Sequence, residues 1–294
     1  MSIDPEILKQ VKAIELRTRG LVGSLFAGEY RSVFRGQGME FAEVRTYEPG
    51  DDFRTIDWNV SARLGTPYVK TFTEERELTV LLVVDESGST RFGEPVTKAG
   101  LAVEVGAVLA LAAAEENDRV GALFFTDAVE HVVPPRKGRR HALRVIRDLV
   151  AFEPRGRATD LAAGLTYAGR LLRHRSTVVV LSDFLAEGWE RPLRRLTGRH
   201  DVVAITVDDA REERLPESGW IELADAESGR RVLVDTGNRA VRERIARLAE
   251  RRREARHHAL TAAGADHLEL ATGRDYKIPL RRHFAVRARR AGTR

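Results

Sequence analysis

One apolar run limits what this chain can fold into more than any other feature. Residues 78–84, LTVLLVV, form an apolar run with Thr79 as its one polar residue, have the length of one strand and are followed by Asp85. Such a run without alternation is typical of a strand buried on both faces, as in a parallel sheet covered by helices. The run is too short to cross a bilayer, and the most apolar stretch, residues 105–114, has only about half of the ~20 residues needed.

Strand-like and helix-like segments alternate after this run, and the alternation predicts an α/β fold with a doubly wound, mostly parallel sheet. The predicted strands lie at 119–125, 177–182, 201–207 and 267–270, with a hairpin at 219–234. The predicted helices, from apolar residues three and four apart, lie at 95–116, 139–150, 160–173, 188–196 and 239–263.

The two ends of the chain differ from this core. An amphipathic helix from Pro5 to about Leu21 and two extended segments around Pro49-Gly50 precede it, and a basic helical tail begins at Lys277. We therefore expect three regions. They are an N-terminal helix with a β elaboration at 1–77, the α/β domain at 78–272 and the basic tail at 273–294.

Composition and motif content exclude several classes of site. The chain has no cysteine, which removes disulfides, thiolate metal ligands and a cysteine nucleophile. It has no P-loop, no HExxH pattern and no nucleophile paired with a base, so we expect a protein that is not an enzyme. The sequence shows no signal peptide and no membrane span, and we expect a cytoplasmic location.

The net charge of +5 is unevenly distributed along the chain. Residues 231–294 hold 17 basic and 7 acidic residues, so the preceding part is acidic overall. Nucleic-acid binding by this basic end, which includes Arg251-Arg252-Arg253, is therefore an alternative function. Only Tyr276 and Phe284 are aromatic there, which gives base stacking little support, and docking to an acidic protein surface explains the charge as well.

Oxygen-bearing side chains follow the apolar run in a regular pattern. Asp85, Ser87 and Ser89 form Asp-x-Ser-x-Ser at the carboxyl end of a central strand, where open α/β sheets bind ligands. Thr159 begins a predicted helix and Asp183 follows a later apolar strand, so both would lie at the same edge. Carboxylate and hydroxyl oxygens suit Mg²⁺ or Mn²⁺. We therefore predict a divalent metal site made of these five residues.

Four of the five residues also have a purely structural explanation. Thr159 and Asp183 suit helix N-caps, and Ser87 and Ser89 are common turn residues. A phosphatase of the haloacid dehalogenase type would also begin with an aspartate after an apolar strand, but its general acid would stand where this chain has Ser87. The order of all five residues along the chain favours the metal site, with a metal-dependent phosphatase as a third alternative.

The five residues resemble the metal-ion-dependent adhesion site of von Willebrand factor A domains. In that family the serines and the threonine hold the ion, the aspartates act largely through water, and an acidic side chain of a partner fills the last position. The resemblance implies that Ser87, Ser89 and Thr159 would contact the ion, with Asp85 and Asp183 behind them. It also implies a protein partner that offers a carboxylate.

A longer segment before the metal pattern carries a second resemblance. Residues 36–77, GQGMEFAEVRTYEPGDDFRTIDWNVSARLGTPYVKTFTEERE, are similar to the signature of the bacterial domain-of-unknown-function family fifty-eight. These von Willebrand A-like proteins are often found beside MoxR-type AAA+ ATPases, and the resemblance covers essentially the whole chain. It implies such an ATPase as partner and a chaperone-like adaptor role in assembly or remodelling of client proteins. Within the signature, we expect Asp51 and Asp52 to accept hydrogen bonds from backbone N–H groups or nearby arginines.

Two positions near the metal pattern depart from that family. Glu86 is a carboxylate where a small or neutral residue is usual, and Arg157 lies in GRAT where Gly-Gly-Thr is common. We expect Glu86 to strengthen cation binding, and Arg157 to weaken it or to hold an acidic group of a partner.

Overall fold

The computed structural model describes residues 5–26, 40–73 and 78–292. The chain divides into two compact units, one of residues 1–33 and 79–294 and the other of residues 34–78. Within the described ranges, no helix combines the length and the apolar character that crossing a bilayer requires.

The described residues form ten strands and nine α-helices. The strands are β1 (Glu40–Thr46), β2 (Tyr68–Thr73), β3 (Thr79–Asp85), β4 (Arg119–Phe125), β5 (Val129–Arg136), β6 (Thr177–Ser182), β7 (Asp201–Asp208), β8 (Trp220–Ala224), β9 (Arg231–Asp235) and β10 (Asp266–Ala271). The helices are α1 (Pro5–Phe26), α2 (Trp58–Leu64), α3 (Lys98–Glu115), α4 (Arg139–Ala151), α5 (Leu161–Leu171), α6 (Glu190–Thr197), α7 (Ala210–Glu213), α8 (Arg239–Ala262) and α9 (Lys277–Gly292).

Six strands form one sheet in the order β10-β7-β6-β3-β4-β5, and only β5, at one edge, runs antiparallel to its neighbour. The predicted α/β fold with a mostly parallel sheet is confirmed. From β3 the chain passes to β4 on one side, and it later returns to β6 on the other side. The strand order therefore reverses between β3 and β6, and open α/β sheets bind ligands beyond the carboxyl ends of strands at such a reversal.

Helices cover both faces of the sheet, which explains why the β3 run does not alternate. On one face, Leu81 and Val83 join a buried cluster with residues of α5 and α6. On the other face, a β-carbon at Gly106 of α3 would lie 3.5 Å from Leu82 and 3.0 Å from Leu149 of α4. Both sides of β3 are thus inside the protein, as continuous apolar runs in parallel sheets indicate.

The two ends of the chain belong to this α/β unit. Helix α1 contacts α3 and α4, and its Val11 and Ile14 are buried. Helix α9 contacts β10 and buries Leu280 and Phe284 completely. The basic tail predicted from sequence is therefore packed against the sheet.

The unit of residues 34–78 contains an antiparallel pair, β1 and β2, with α2 between them. Arg45 donates to both carboxylate oxygens of Asp51, at 2.8 and 2.7 Å, and these hydrogen bonds lower the pKa of Asp51. Asp52 accepts from the Arg54 N–H at 2.9 Å, and Asp57 caps α2. Asp51 and Asp52 therefore accept hydrogen bonds from an arginine and from backbone N–H groups, as the sequence predicts, and Asp57 adds a helix cap that was not predicted.

Candidate metal centre

Asp85, the last residue of β3, is held in a fixed orientation at the centre of the site. It is 1% exposed, and its Oδ1 accepts a hydrogen bond from the Ser87 N–H at 3.0 Å. Its Oδ2 accepts from the Ser182 hydroxyl, at the end of β6, at 2.6 Å. Because protein groups occupy both oxygens, Asp85 orients the loop and would act on an ion from behind the hydroxyls.

Ser89 joins this loop to the end of β6. Its hydroxyl donates to Asp183 Oδ2 at 2.8 Å, and the Ser87 Oγ lies 3.2 Å from the Ser89 Oγ. In an octahedral Mg²⁺ site with bonds of 2.0–2.1 Å, neighbouring ligand oxygens are about 3 Å apart. The structure brings Asp85, Ser87, Ser89 and Asp183 together, and the Ser87–Ser89 and Ser89–Asp183 oxygen spacings are close to that value.

The chain is bent sharply directly after Asp183. Phe184 has a φ of +54°, which is rare for a residue other than glycine. Its N–H donates to the Ser182 hydroxyl at 3.0 Å, and its buried ring packs edge-on against Trp189 at 5.4 Å. The surrounding contacts thus hold a strained backbone beside Asp183, and such strain is common at functional sites.

Thr159 lies at the same edge but bonds to a residue that the sequence analysis missed. The loop before α5 contacts residues 86–91, the loop after β3, which is called the metal loop below. The Gly88 N–H donates to the Arg157 carbonyl at 2.7 Å. The Thr159 hydroxyl donates to Glu227 Oε1 at 2.6 Å. Asp160 caps α5 instead of Thr159, so the capping explanation for Thr159 is wrong. Glu227 lies in the β8–β9 turn, and no local pattern connects it with this site.

A buried lysine, also missed from sequence, supplies positive charge to the cluster. Lys98 begins α3, is 1% exposed, and donates to Asp183 Oδ2 at 2.9 Å and Glu212 Oε1 at 2.8 Å. Burial lowers the pKa of Lys98, but the charges of Asp183 and Glu212 outweigh it and raise that pKa. Burial likewise opposes ionisation of Asp183, but Lys98 outweighs it and lowers the Asp183 pKa. Both groups therefore stay charged.

In two neighbouring carboxyl groups burial is not outweighed by a cation, so the net shift of the pKa is upward. Burial raises the pKa of Asp85 to about 6, and the charge of Asp183 adds to the shift. Burial also raises the pKa of Glu86 to about 8, with a further contribution from Asp85. Glu86 is then mostly protonated at pH 7 and adds less negative charge to the metal loop than its position in the sequence suggests.

Arg256 of α8 fixes the other side of the Asp183 segment. It is 8% exposed and donates to the Asp183 carbonyl at 2.6 Å and to both oxygens of Asp208 at 2.8 and 2.6 Å. Arg287 of α9 is equally buried and forms ion pairs with Asp201 and Asp266. Part of the basic charge predicted for docking is therefore used inside the fold.

A second group of potential metal ligands lies between α8 and β10. The ligand atoms of His257, His267 and Glu269 are within 4.8 Å of one another. Thr206 Oγ1 is 3.1 Å from His267 Nε2, and Arg253 pairs with Glu269 at 3.4 Å. Because a guanidinium already neutralises the one carboxylate of this group, we assign no metal to it.

His267 is expected to make stability depend on pH. Burial lowers its pKa to about 4, and the charges of His257, Arg256 and His283 add to the shift. An unfolded histidine titrates at about 6.5, so the unfolded state takes up the proton first and the free energy of unfolding should fall from about pH 6.5 to about pH 4. In His267→Gln, the proton uptake on unfolding, read from the slope of that free energy against pH, should drop by about one. The exposed His258 provides the control His258→Gln, and equal slopes for wild type and His267→Gln would contradict the prediction.

The family described as "Protein of unknown function DUF58" matches residues 43–255. The chain belongs to this family. The matched region includes the five predicted metal residues, Lys98 and Glu227. Helices α1 and α9 lie outside the matched region.

Two relatives of this DUF58 protein match very different shares of the chain. The uncharacterized protein Rv1480 of Mycobacterium tuberculosis is 36% identical over 294 residues, which is 98% of this chain and 92% of that protein. The uncharacterized protein YeaD of Bacillus subtilis is 39% identical over 56 residues, 19% of this chain and 14% of YeaD.

Similar solved structures include an aerotolerance-related membrane protein of Bacteroides fragilis, with 16% identity and a TM-score of 0.49. BatB of Bacteroides thetaiotaomicron has 14% identity and a TM-score of 0.48. Each comparison covers 72% of this chain and 99% of the other chain.

Proposed function

We propose that this chain is a protein-binding module of the von Willebrand A type, which presents Mg²⁺ or Mn²⁺ to an acidic side chain of a partner. The observation that carries the proposal is the hydrogen bond from Ser89 to Asp183 at 2.8 Å. It joins the loop after β3 to the end of β6, where the strand order reverses. Ligand binding at this place is the usual behaviour of open α/β sheets.

The donor set and the local charge both favour a cation. Ser87, Ser89 and Thr159 would hold the ion, and the ion would supply a positive charge to which a partner carboxylate binds. Among the residues that the structure describes, the carboxylates of Asp85, Asp183 and Glu212 are accompanied by the ammonium group of Lys98. The cluster therefore keeps a net negative charge that a second cation would neutralise.

The proposed partner is a MoxR-type AAA+ ATPase, and the chain would serve as its adaptor in the assembly or remodelling of client proteins. The support is the similarity of the segment 36–77 to the family signature and membership of the DUF58 family. In this proposal the ATPase performs the work, and the chain itself performs no catalysis.

Calorimetry with Mg²⁺ or Mn²⁺ tests the ion. The wild-type chain is expected to bind, whereas the double variant Ser87→Ala with Ser89→Ala should lose at least about tenfold in affinity because two ligands are gone. Ser218→Ala removes an exposed serine before β8 and is the matched control. Equal binding by the double variant and the control would refute the metal site.

Capture of the ATPase tests the partner. The wild-type chain should retain the ATPase with Mg²⁺ present and release it with a chelator, and the double serine variant should retain little in either condition. Nucleic-acid binding is the competing result. Metal-independent binding of DNA that weakens steeply with salt, without ATPase capture, would overturn the proposal in favour of the arginine-rich surface.

A further inference from the structure

The tip of the β8–β9 hairpin lies directly on the metal loop. Glu227 in this tip accepts the Thr159 hydroxyl at 2.6 Å. A β-carbon at Gly88, between the two predicted serine ligands, would lie only 2.4 Å from the Ala226 carbonyl oxygen. The hairpin tip and the metal loop thus touch through backbone, and a glycine at 88 is required for this approach.

Hydrogen bonds within the tip hold the backbone around Glu227 in a closed turn. The Asp225 carboxylate accepts hydrogen bonds from the Glu227 and Ser228 N–H groups, at 2.9 and 2.8 Å. Gly229 follows with a φ of +71°, and its N–H donates to the Asp225 carbonyl at 2.9 Å. A carboxylate on such a closed turn loses little further conformational freedom when it binds.

The base of the hairpin is fixed to α8. There, the Thr236 N–H donates to the Gly219 carbonyl at 2.7 Å, and Arg242 of α8 donates to the Thr236 carbonyl at 2.5 Å. Strands β8 and β9 pair only with each other, and the side chains of Val232 and Leu233 are 60% and 63% exposed. Since a two-stranded hairpin is only marginally stable by itself, its tip can leave the metal loop at low cost.

We propose that Glu227 is a built-in carboxylate ligand of the metal site, which closes the site until the acidic side chain of a partner displaces it. The inference rests on the proposed function, because it gives Glu227 the position which that function assigns to the partner. Thr159 is one of the predicted ion ligands, and a carboxylate bound to its hydroxyl stands next to the ion's position. A partner carboxylate must therefore bind the ion more strongly than Glu227 does in order to displace it.

Mn²⁺ titration and hydrogen exchange of the full chain test the inference without a partner. Glu227→Gln keeps the size of the side chain and removes its charge, so Mn²⁺ affinity should fall about tenfold, the loss typical of a removed ligand or its support. Mn²⁺ should slow the exchange of backbone amides 225–230 in the wild type but not in Glu227→Gln. The control Glu222→Gln changes an exposed acid on the same hairpin, away from the tip, and should match the wild type in both measurements.

The possible outcomes separate the two proposals. If wild type and Glu227→Gln bind Mn²⁺ equally and their tip amides exchange alike, the metal site stands and the built-in ligand is refuted. If the wild type binds no Mn²⁺, the proposed function fails and the inference fails with it. Where the ATPase is captured, Glu227→Gln should retain several times more of it than Glu222→Gln, and equal retention would refute the competition.

Discussion

Replacing Lys98 with methionine is expected to lower the free energy of unfolding by about 3–5 kcal/mol, the cost of removing one partner of a buried ion pair. Lys98 is 1% exposed, and its ammonium group lies 2.9 Å from Asp183 and 2.8 Å from Glu212. Methionine retains most of the buried stem but leaves Asp183, itself 3% exposed, without its cation. Urea unfolding at pH 7, followed by circular dichroism, measures the change.

Lys9→Met provides the matched control. Lys9 forms an ion pair with Glu6 at 3.4 Å, but its side chain is 76% exposed. An exposed pair of this kind contributes about 0–1 kcal/mol. A loss in Lys98→Met no larger than in Lys9→Met would mean that the buried ammonium does not hold the Asp183 segment.

Replacing Arg256 with methionine is the second change with a large expected effect, roughly 3 kcal/mol of stability. The substitution leaves the Asp208 carboxylate unpaired and removes the hydrogen bond to the Asp183 carbonyl at 2.6 Å. Because that bond supports the backbone of a predicted metal residue, Mg²⁺ affinity should also fall, by about tenfold. Urea unfolding and calorimetry measure the two effects.

Arg252→Met, an exposed position on the same helix, separates structure from surface charge. It removes the same charge from the basic segment and should leave both stability and Mg²⁺ affinity within error of the wild type. If the two arginine variants were equally stable, Arg256 would have to be counted with the surface arginines, and the nucleic-acid alternative would gain support.

The positions of strands and helices in the α/β unit were predictable because they depend on the pattern of apolar residues within each segment. Strands β4, β6 and β7 begin at the residues that apolar runs indicate, and helix α8 agrees with its prediction to within one residue. The metal pattern after β3 was also predictable, because carboxyl ends of parallel strands meet at one edge. Asp85, Ser87, Ser89 and Asp183 accordingly lie in one hydrogen-bonded group.

The partners of these residues were not predictable in the same way. Lys98 reads in the sequence as an ordinary polar residue near a helix start, and Glu227 as an ordinary turn residue. Arg256 lies in a helix whose many arginines suggest a solvated surface, yet it is 8% exposed. Periodicity identifies which face of an element is apolar, but it does not identify which charged side chains meet when elements pack.

The sequence by itself therefore determined the parallel sheet, the loop that follows Asp85, and the edge at which the oxygen-bearing side chains gather. Only the tertiary structure decided what surrounds them. The Lys98–Asp183 contact spans 85 residues and the Thr159–Glu227 contact spans 68, so neither leaves a local pattern. Burial in a medium of low dielectric makes the Lys98–Asp183 contact strong, and burial is a property of the packed elements rather than of the sequence around each residue.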